Sequence, residues 1–391
     1  MKDQAILELL QAMVRAPSHP GVTRQEEATA RALEAYLGRH GITCELVEVR
    51  EGRPNVIATL EGRAPGPHLL LCGHTDTVPP NAGSQADFFS AAVENGRVLG
   101  RGTVDMKGAL AAMAGALADI RGSGGPASGR ITLAAVIDEE MESLGAEALI
   151  KSGFKADGAI VGEPTENRVA IGHKGLEWLE ARFFGKAVHG SMREKGVDAI
   201  AAAAQFAGLV ETDLIPGFEA RRDPVLGLPA INLGTIRGGQ QPSMVAAECR
   251  VQLDRRWVTT ETIEQVFDDL ERLLDRVRAA RPGLRTELAR MPEGMATMLH
   301  GPLVIDREHA LVRAALGAFG DAGRPAPPTT VFPAWTDGAL LSREAGIPTL
   351  IWGPGELALA HSAEESVPAE EIFLAARLYA AAARRFTAAR R

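Results

Sequence analysis

The sequence predicts an α/β fold in which a smaller α+β domain is inserted into a domain built on a largely parallel sheet. The chain has 391 residues, which is more than one simple core usually accommodates and indicates two domains. Its first part alternates unbroken apolar runs with helical patterns, which is typical of strands buried on both faces of a parallel sheet. Its middle part instead shows strands of alternating polarity, and the first pattern then returns.

The larger domain is predicted in two parts, residues 1–172 and 292–391. Apolar runs in the first part predict buried strands at residues 55–60, 68–73, 131–137 and 159–161. In the second part we expect a helix at 309–322, a strand at 348–352 and a closing helix at 369–384.

The inserted domain is predicted to cover residues 173–291. We expect strands at 176–184, 230–236, 247–253 and 285–289, and helices at 197–210 and 260–280. The resulting order, βαββαβ, is that of a small α+β sandwich.

Composition and charge argue against several classes of protein. A net charge of −8 without any basic block makes nucleic acid an improbable partner. We expect no membrane association, because no apolar run is long enough to span a bilayer and the amino-terminal segment resembles an amphipathic helix rather than a signal peptide. Three widely spaced cysteines, Cys44, Cys72 and Cys249, do not suggest a disulfide framework, so we expect a cytoplasmic location.

Acidic and histidine side chains follow the predicted strands at the points where the strands end. Because the carboxyl ends of parallel strands meet at one edge of a sheet, we expect these side chains to converge. Imidazole and carboxylate groups are the ligands that zinc and similar divalent ions prefer. The candidate ligands are His74, Asp105, Glu139, Glu140, Glu163 and His361.

Each candidate also has a purely structural interpretation. His74 could be a core histidine, Asp105 a helix cap and Glu163 the start of a turn. The acidic run at residues 138–140 could be a solvated turn. All these interpretations would have to hold together, however, and adjacent carboxylates at a buried strand end are better explained by cations beside them.

Five motifs in order, HTDTVP, GRGTVDMKG, DEEMESLG, GEPT and HSAEES, resemble those of the M20 family of metallopeptidases. This family includes acetylornithine deacetylase, succinyl-diaminopimelate desuccinylase, aminoacylase and a carboxypeptidase that releases glutamate from folates. The resemblance covers essentially the whole chain. It is specific for the family and not for the substrate.

The resemblance implies two divalent metal ions, with zinc favoured and cobalt(II) or manganese(II) as alternatives. Asp105 would bridge the ions, with His74 and Glu163 completing one site and Glu140 and His361 the other. Asp76 would orient the His74 imidazole. A hydroxide shared by the ions would attack an amide carbonyl, with Glu139 as general base. The resemblance also implies a cis peptide bond between Asp105 and Met106.

The resemblance assigns further roles outside the metal ligands. His189, in GKAVHGSMREKG, would help to hold the carbonyl oxygen, often across the interface of a homodimer formed by the inserted domains. Arg256, in LDRRW, is favoured over Arg255 as the partner of a substrate carboxylate, with an exposed structural charge as the alternative. Gly353 and Gly355, in the turn GPG, could offer backbone donors to the substrate.

One segment departs from the family pattern. Where many relatives have an asparagine and a proline after a glycine pair, this chain has GGQQPSMVAAEC, with Ser243 as the candidate substrate contact. In this family a glutamate at the position of Glu163 accompanies hydrolysis of N-acyl amino acids, and an aspartate accompanies peptidases. The resemblance therefore predicts a deacylase of small N-acyl amino acids. A dipeptidase or carboxypeptidase is the first alternative, and a non-catalytic binding protein is the second.

Overall fold

The computed structural model describes residues 3–292 and 299–388. The chain folds into two units. The first unit comprises Met1–His173 and Leu303–Arg391, and the second comprises Lys174–Pro302. The second unit begins next to the expected position 173, but it ends at Pro302 and not at 291. Residues 293–298, which belong to the segment expected to start the last part of the larger domain, lie outside the described residues.

The strands and helices follow one another along the chain in three groups. Up to His173 the strands are β1 (Cys44–Arg50), β2 (Arg53–Glu61), β3 (His68–His74), β4 (Val93–Glu94), β5 (Arg97–Leu99), β6 (Arg130–Val136), β7 (Gly158–Val161) and β8 (Ala170–His173), and the helices are α1 (Asp3–Val14), α2 (Glu27–Arg39), α3 (Lys107–Gly122) and α4 (Leu144–Lys151). The second unit contains β9 (Gly175–Phe184), α5 (Ala199–Leu209), α6 (Ile215–Gly217), β10 (Ala230–Gly238), β11 (Glu248–Trp257), α7 (Ile263–Ala279) and β12 (Arg285–Arg290). The last group is β13 (Leu303–Val304), α8 (Ala310–Asp321), β14 (Thr330–Phe332), α9 (Gly338–Arg343), β15 (Thr349–Ile351), β16 (Ser366–Pro368) and α10 (Ala369–Ala388).

The main sheet of the first unit has the strand order β1-β2-β6-β3-β7-β15-β8-β13, with β14 paired to β8. Its centre is parallel, since β3 pairs in parallel with β6 and β7, and β7 with β15. Antiparallel pairs lie on either side of this centre. The prediction of a largely parallel central sheet is confirmed, and the carboxyl ends of β3, β6, β7 and β15 lie at one edge.

The apolar runs occupy the centre of this sheet for a physical reason. In β3, residues 69–72 are fully buried, as are residues 131–137 in and just after β6. A strand covered on both faces has no solvent side, so its apolar pattern does not alternate. The sequence therefore marks the strands that carry candidate ligands at their ends.

The second unit contains a four-stranded antiparallel sheet in the order β10-β11-β9-β12. Helices α5 and α7 contribute to the core of this unit with Phe206 and Leu270. A capping box starts α7, where the Thr262 side chain accepts from the Gln265 backbone and the Gln265 side chain accepts from the Thr262 backbone. The predicted βαββαβ order is confirmed.

In the part of the chain that the structure describes, none of the helices has both the length and the apolar character needed to cross a bilayer.

Candidate metal centre

The loops at the carboxyl edge of the main sheet bring the candidate ligands together. His74 ends β3, Glu139 and Glu140 follow β6, and Glu163 follows β7. His361 lies between β15 and β16, and the loop before α3 supplies Asp105. Two groups of these side chains place one potential ligand atom each within 4.8 Å of one another: His74 with Glu139 and Glu163, and His74 with Asp105 and Glu140.

The Asp105 carboxylate stands between the two imidazoles. Its Oδ1 lies 2.9 Å from His74 Nε2, and its Oδ2 lies 3.1 Å from His361 Nε2. His361 Nε2 is also 3.1 Å from Glu140 Oε1. The peptide bond between Asp105 and Met106 is cis, as the resemblance implies. Asp105 therefore offers one oxygen to each of two ligand groups, which is the geometry expected of a bridging carboxylate.

Glu163 completes the group on the His74 side. Its Oε1 lies 3.7 Å from His74 Nε2, beyond hydrogen-bond distance. This oxygen is buried and has no hydrogen-bond partner among the described residues. A buried carboxylate oxygen without a partner is costly, and a cation beside it removes that cost.

The local electrostatics indicate an excess of negative charge. Burial and the nearby Asp105 raise the pKa of Glu163, and burial and Glu163 raise the pKa of Glu139. The Asp105 and Glu140 carboxylates raise the pKa of His361 to about 10. These shifts have one physical cause, namely several carboxylates buried beside one another. Nitrogen and oxygen donors of this kind fit zinc, so the residues present suit the metal ions that the sequence predicts.

Asp76 contacts this cluster differently from the prediction. The His74 Nδ1 atom lies 3.0 Å from the Asp76 backbone oxygen and 3.5 Å from the carboxylate. The carboxylate instead accepts the backbone N–H groups of Glu139 at 3.1 Å and Glu140 at 3.0 Å. Asp76 thus orients the imidazole mainly through its carbonyl, while its side chain holds the acidic loop.

Asp138 is stabilised by a cation from the chain itself. Arg53 Nη2 lies 2.6 Å from Asp138 Oδ1 and 2.6 Å from Glu26 Oε1. Of the three adjacent carboxylates, only Glu139 and Glu140 therefore need an external cation. The local sequence does not indicate the Arg53–Asp138 pair, because the two residues lie far apart in the chain.

Asp337, which the sequence analysis missed, is a further buried carboxylate near this cluster. It is 2% exposed and directly precedes α9. Burial raises the pKa of Asp337 to about 7, and the charges that act on it include His74 and Asp76. Its sequence, TDG before a helix, is the ordinary signal of a helix cap and gave no reason to single it out.

The predicted residues of the second unit lie on its surface. His189 is exposed, and its Nδ1 lies 2.7 Å from Ser191 Oγ. Ser243 is exposed as well, and its carbonyl accepts the Gly190 N–H at 2.7 Å. The segments of His189 and Ser243 are thereby held next to each other.

The two arginines of LDRRW differ in their environment. Arg255 is fully buried, and its Nη2 lies 2.5 Å from Glu261 Oε1. Arg256 is 26% exposed and makes a two-point pair with Asp254, at 2.7 and 2.9 Å. Only Arg256 has a guanidinium that solvent reaches, which agrees with the preference for Arg256 over Arg255.

The backbone donors predicted at Gly353 and Gly355 are already used within the chain. The Gly353 N–H donates to Thr165 Oγ1 at 3.1 Å, and the Gly355 N–H donates to Glu371 Oε2 at 2.9 Å. A Cβ atom at Gly353 would lie 2.1 Å from the Gly162 carbonyl oxygen. The glycine therefore permits close packing behind Glu163, and we do not retain these two residues as substrate donors.

Comparisons with known proteins agree with the motifs. The model of Peptidase family M20/M25/M40 matches residues 70–385. Acetylornithine deacetylase from Proteus mirabilis is 30% identical, over 94% of this chain and 93% of its own. N-formyl-4-amino-5-aminomethyl-2-methylpyrimidine deformylase from Bacillus subtilis is 28% identical, over 94% of this chain and 91% of its own.

A solved structure shows the same fold. The aminopeptidase PepT of Bacillus cereus superposes with a TM-score of 0.81 at 20% identity, and the match covers 99% of each chain. With the family model matching most of the chain, these findings establish the family independently of the site geometry. The chain belongs to peptidase family M20/M25/M40 and is a metal-dependent hydrolase that acts on amide bonds.

Proposed function

We propose that the protein is a dinuclear deacylase that cleaves the amide bond of small N-acyl amino acids. The observation that supports this most strongly is the position of Asp105, whose two oxygens face the His74 and His361 imidazoles. A carboxylate shared in this way suits two ions held close together.

Five side chains would hold the ions. His74, Asp105 and Glu163 would bind the first ion, and Asp105, Glu140 and His361 the second. We favour zinc, with cobalt(II) and manganese(II) as alternatives, because the donor set combines imidazole with carboxylate. When bound, the ions would polarise the substrate carbonyl and make water more acidic.

Glu139 is the proposed general base. It would take a proton from the attacking water and return it to the leaving amine. Burial and the Glu163 carboxylate raise the pKa of Glu139, which suits a group that must both accept and release a proton. Its proximity to His74 and Glu163 makes it a potential ligand as well, so the base and ligand roles need an experimental distinction.

The second unit would supply substrate contacts. His189 would donate to the carbonyl oxygen as negative charge develops there, Arg256 would bind the substrate carboxylate, and Ser243 would line the same surface. Because His189 and the ligands belong to different units, it would reach them either within one chain or from a second copy.

A homodimer formed by the second units is part of this proposal. Strand β10 is an edge strand, and Ile236 on it is 55% exposed. An unpaired sheet edge with an exposed apolar side chain is suited to association with another copy. We also propose a cytoplasmic location, in agreement with the free thiols of Cys44, Cys72 and Cys249.

The choice between deacylation and peptide hydrolysis rests on two observations. Glu163 is a glutamate, which the resemblance associates with N-acyl amino acids. Two similar relatives are named as a deacetylase and a deformylase, and both names describe removal of a small acyl group from nitrogen.

The test is a substrate panel. Formyl, acetyl and succinyl derivatives of several amino acids would be compared with dipeptides of the same amino acids, using the metal-loaded protein. We expect kcat/KM for the best N-acyl substrate to exceed that for the best dipeptide. The reverse order would favour the peptidase, and no hydrolysis of either class would favour the binding protein.

A further inference from the structure

Glu365, in the motif HSAEES, is a buried carboxylate that accepts several hydrogen bonds and has no role in the proposed function. Its side chain is almost completely buried. Its Oε1 accepts backbone N–H groups from Gly102 at 2.9 Å, Val104 at 3.1 Å and Asp105 at 3.3 Å. One carboxylate oxygen therefore holds the loop that ends in the bridging residue.

Arg101 connects the same carboxylate to the loop of His361. Its Nη1 lies 2.5 Å from Glu365 Oε2 and donates to the Ser362 carbonyl at 3.2 Å. Its Nη2 donates to the His361 carbonyl at 3.3 Å and to Asn81 Oδ1 at 2.8 Å. The Asn81 amide in turn donates to the His361 carbonyl at 3.0 Å.

The energetics of this pair favour a role in geometry over a role in stability. The side chains of Arg101 and Glu365 are each 1% exposed, so both charges lose their hydration. The attraction within such a pair roughly offsets the cost of burying it, and a buried pair is therefore a weak stabiliser. Its directed hydrogen bonds, in contrast, fix the two loops relative to each other.

The contacts are selective among the candidate ligands. They reach Asp105 through its own N–H and His361 through its own carbonyl. His361 needs such support, because it has a positive φ of 61° and an exposed side chain. His74 instead ends the buried strand β3 and is bonded to Asp76.

We propose that Glu365 and Arg101 are positioning residues that hold Asp105 and His361 in place for the second metal ion. The inference rests on the proposed dinuclear site. It assigns different supports to the ligands: the central strands carry His74 and Glu163 of the first ion, whereas the buried Arg101–Glu365 pair holds His361 of the second ion and Asp105, which both ions share.

The test is metal titration of Glu365→Gln. The amide keeps the size of the carboxylate but has one N–H₂ group, which would face either Arg101 or the backbone donors. We expect the affinity for the second ion to fall by about tenfold to hundredfold, as is typical for residues that orient metal ligands. The affinity for the first ion should fall less, because only its shared ligand Asp105 depends on Glu365, whereas His74 and Glu163 do not contact it.

Glu261→Gln is the matched control. Glu261 and Arg255 form an equally buried pair at 2.5 Å, and the Glu261 carboxylate likewise accepts a backbone N–H, that of Val258. This pair lies in the second unit, which contains none of the proposed ligands. An equal loss of the second ion in Glu261→Gln would attribute the effect to general loosening of the protein and overturn the inference.

Hydrogen exchange gives a readout that needs neither metal nor activity. In the metal-stripped Glu365→Gln protein, the amides of Gly102, Val104 and Asp105 should exchange faster than in the wild type. If neither the exchange of these amides nor the affinity for the second ion changed, the inference would be overturned, while the proposed dinuclear function would stand. Fewer than two ions on the wild-type protein would overturn the dinuclear function, and this inference with it.

Arg101→Lys provides a second variant if Glu365→Gln does not fold. Lysine keeps the positive charge but cannot make the several directed bonds of the guanidinium. We expect the affinity for the second ion again to fall more than that for the first, and retention of the second ion at wild-type affinity would contradict the proposal.

Discussion

The proposed metal ligands of the first unit and the proposed substrate residues of the second unit are built in different ways. His74, Asp105 and Glu163 are buried, and their side chains lie within 4 Å of another ligand. His189 and Arg256 are at least partly exposed, and each contacts a neighbour two residues away. The first group is assembled by long-range packing, whereas the second depends on local contacts.

The two groups therefore differ in how far the contacts within their own unit fix the positions of the side chains. The metal ligands have few other groups to interact with and are held at one sheet edge, so binding ions requires little rearrangement. In the proposed function, His189 would act only on a substrate bound by the first unit. We therefore expect the ligand cluster to bind metal in the absence of substrate. Substitutions of His189 and Arg256 should change mainly turnover and substrate affinity.

The largest effect should come from removing the metal. We expect chelation to abolish hydrolysis and re-addition of zinc to restore it, because the proposed chemistry requires an activated water and a polarised carbonyl. Elemental analysis of the metal-replete protein should give two ions per chain. Fewer than two ions per chain, or full activity after exhaustive chelation, would contradict the proposal.

Glu139→Ala should reduce kcat by a factor on the order of 10² or more while leaving metal content nearly intact. Loss of the base removes proton transfer but none of the proposed ligands. Steady-state kinetics and metal analysis of the same preparation provide the measurement.

Glu140→Ala is the control for this variant, because Glu140 is the adjacent carboxylate and lies 3.1 Å from His361 Nε2. We expect Glu140→Ala to lower metal occupancy first and activity as a consequence. If Glu139→Ala instead lost metal while Glu140→Ala retained it, the roles of base and ligand would be reversed.

The sequence predicted that the candidate ligands converge because several of them follow strands that the apolar runs identify. The ends of β3, β6 and β7 deliver His74, Glu139 and Glu163 to one edge by sheet topology alone. Contacts between distant segments could not be predicted in this way. The Arg53–Asp138 pair and the bonds that occupy the Gly353 and Gly355 amides depend on tertiary packing.

His189→Ala should reduce kcat by about 10², the usual effect of removing one donor to a developing oxyanion. Metal content should not change, since the proposed ligands belong to the first unit.

Complementation of two inactive variants tests whether His189 acts in its own chain or in its partner. Inactive Glu139→Ala chains would be mixed with inactive His189→Ala chains under conditions that allow subunit exchange.

A mixed dimer would regain one working site if His189 acts across the interface, because one site would combine an intact metal centre with the partner's intact histidine. Recovered activity would support both the dimer and the action across it. Exchange shown by mass spectrometry without recovered activity would place His189 within its own chain.

Metal affinity should rise with pH. The Asp105 and Glu140 carboxylates raise the pKa of His361 to about 10, so its imidazole is protonated at neutral pH in the metal-stripped protein. An ion must displace that proton, which makes the affinity for the second ion increase about tenfold per pH unit for each proton released. Competitive titrations at pH 6.5 and 7.5 measure this slope. A pH-independent affinity would show that His361 is not a ligand.

The smallest expected effect concerns Arg256. Arg256→Ala should raise KM for substrates with a free carboxylate by about tenfold or more, since a charge-assisted hydrogen bond contributes about 1.5–3 kcal/mol. Arg250→Ala is the matched control, because Arg250 lies on the same strand and pairs with Glu248 at 2.7 Å, just as Arg256 pairs with Asp254. If Arg256 binds the substrate carboxylate, it would have to give up its pair with Asp254, so the measured loss would understate the strength of the contact. Substrates with an amidated carboxylate should bind the variant and the wild type equally. A similar KM rise for amidated substrates, or in Arg250→Ala, would show that Arg256 contributes to the structure of β11 and does not recognise the carboxylate.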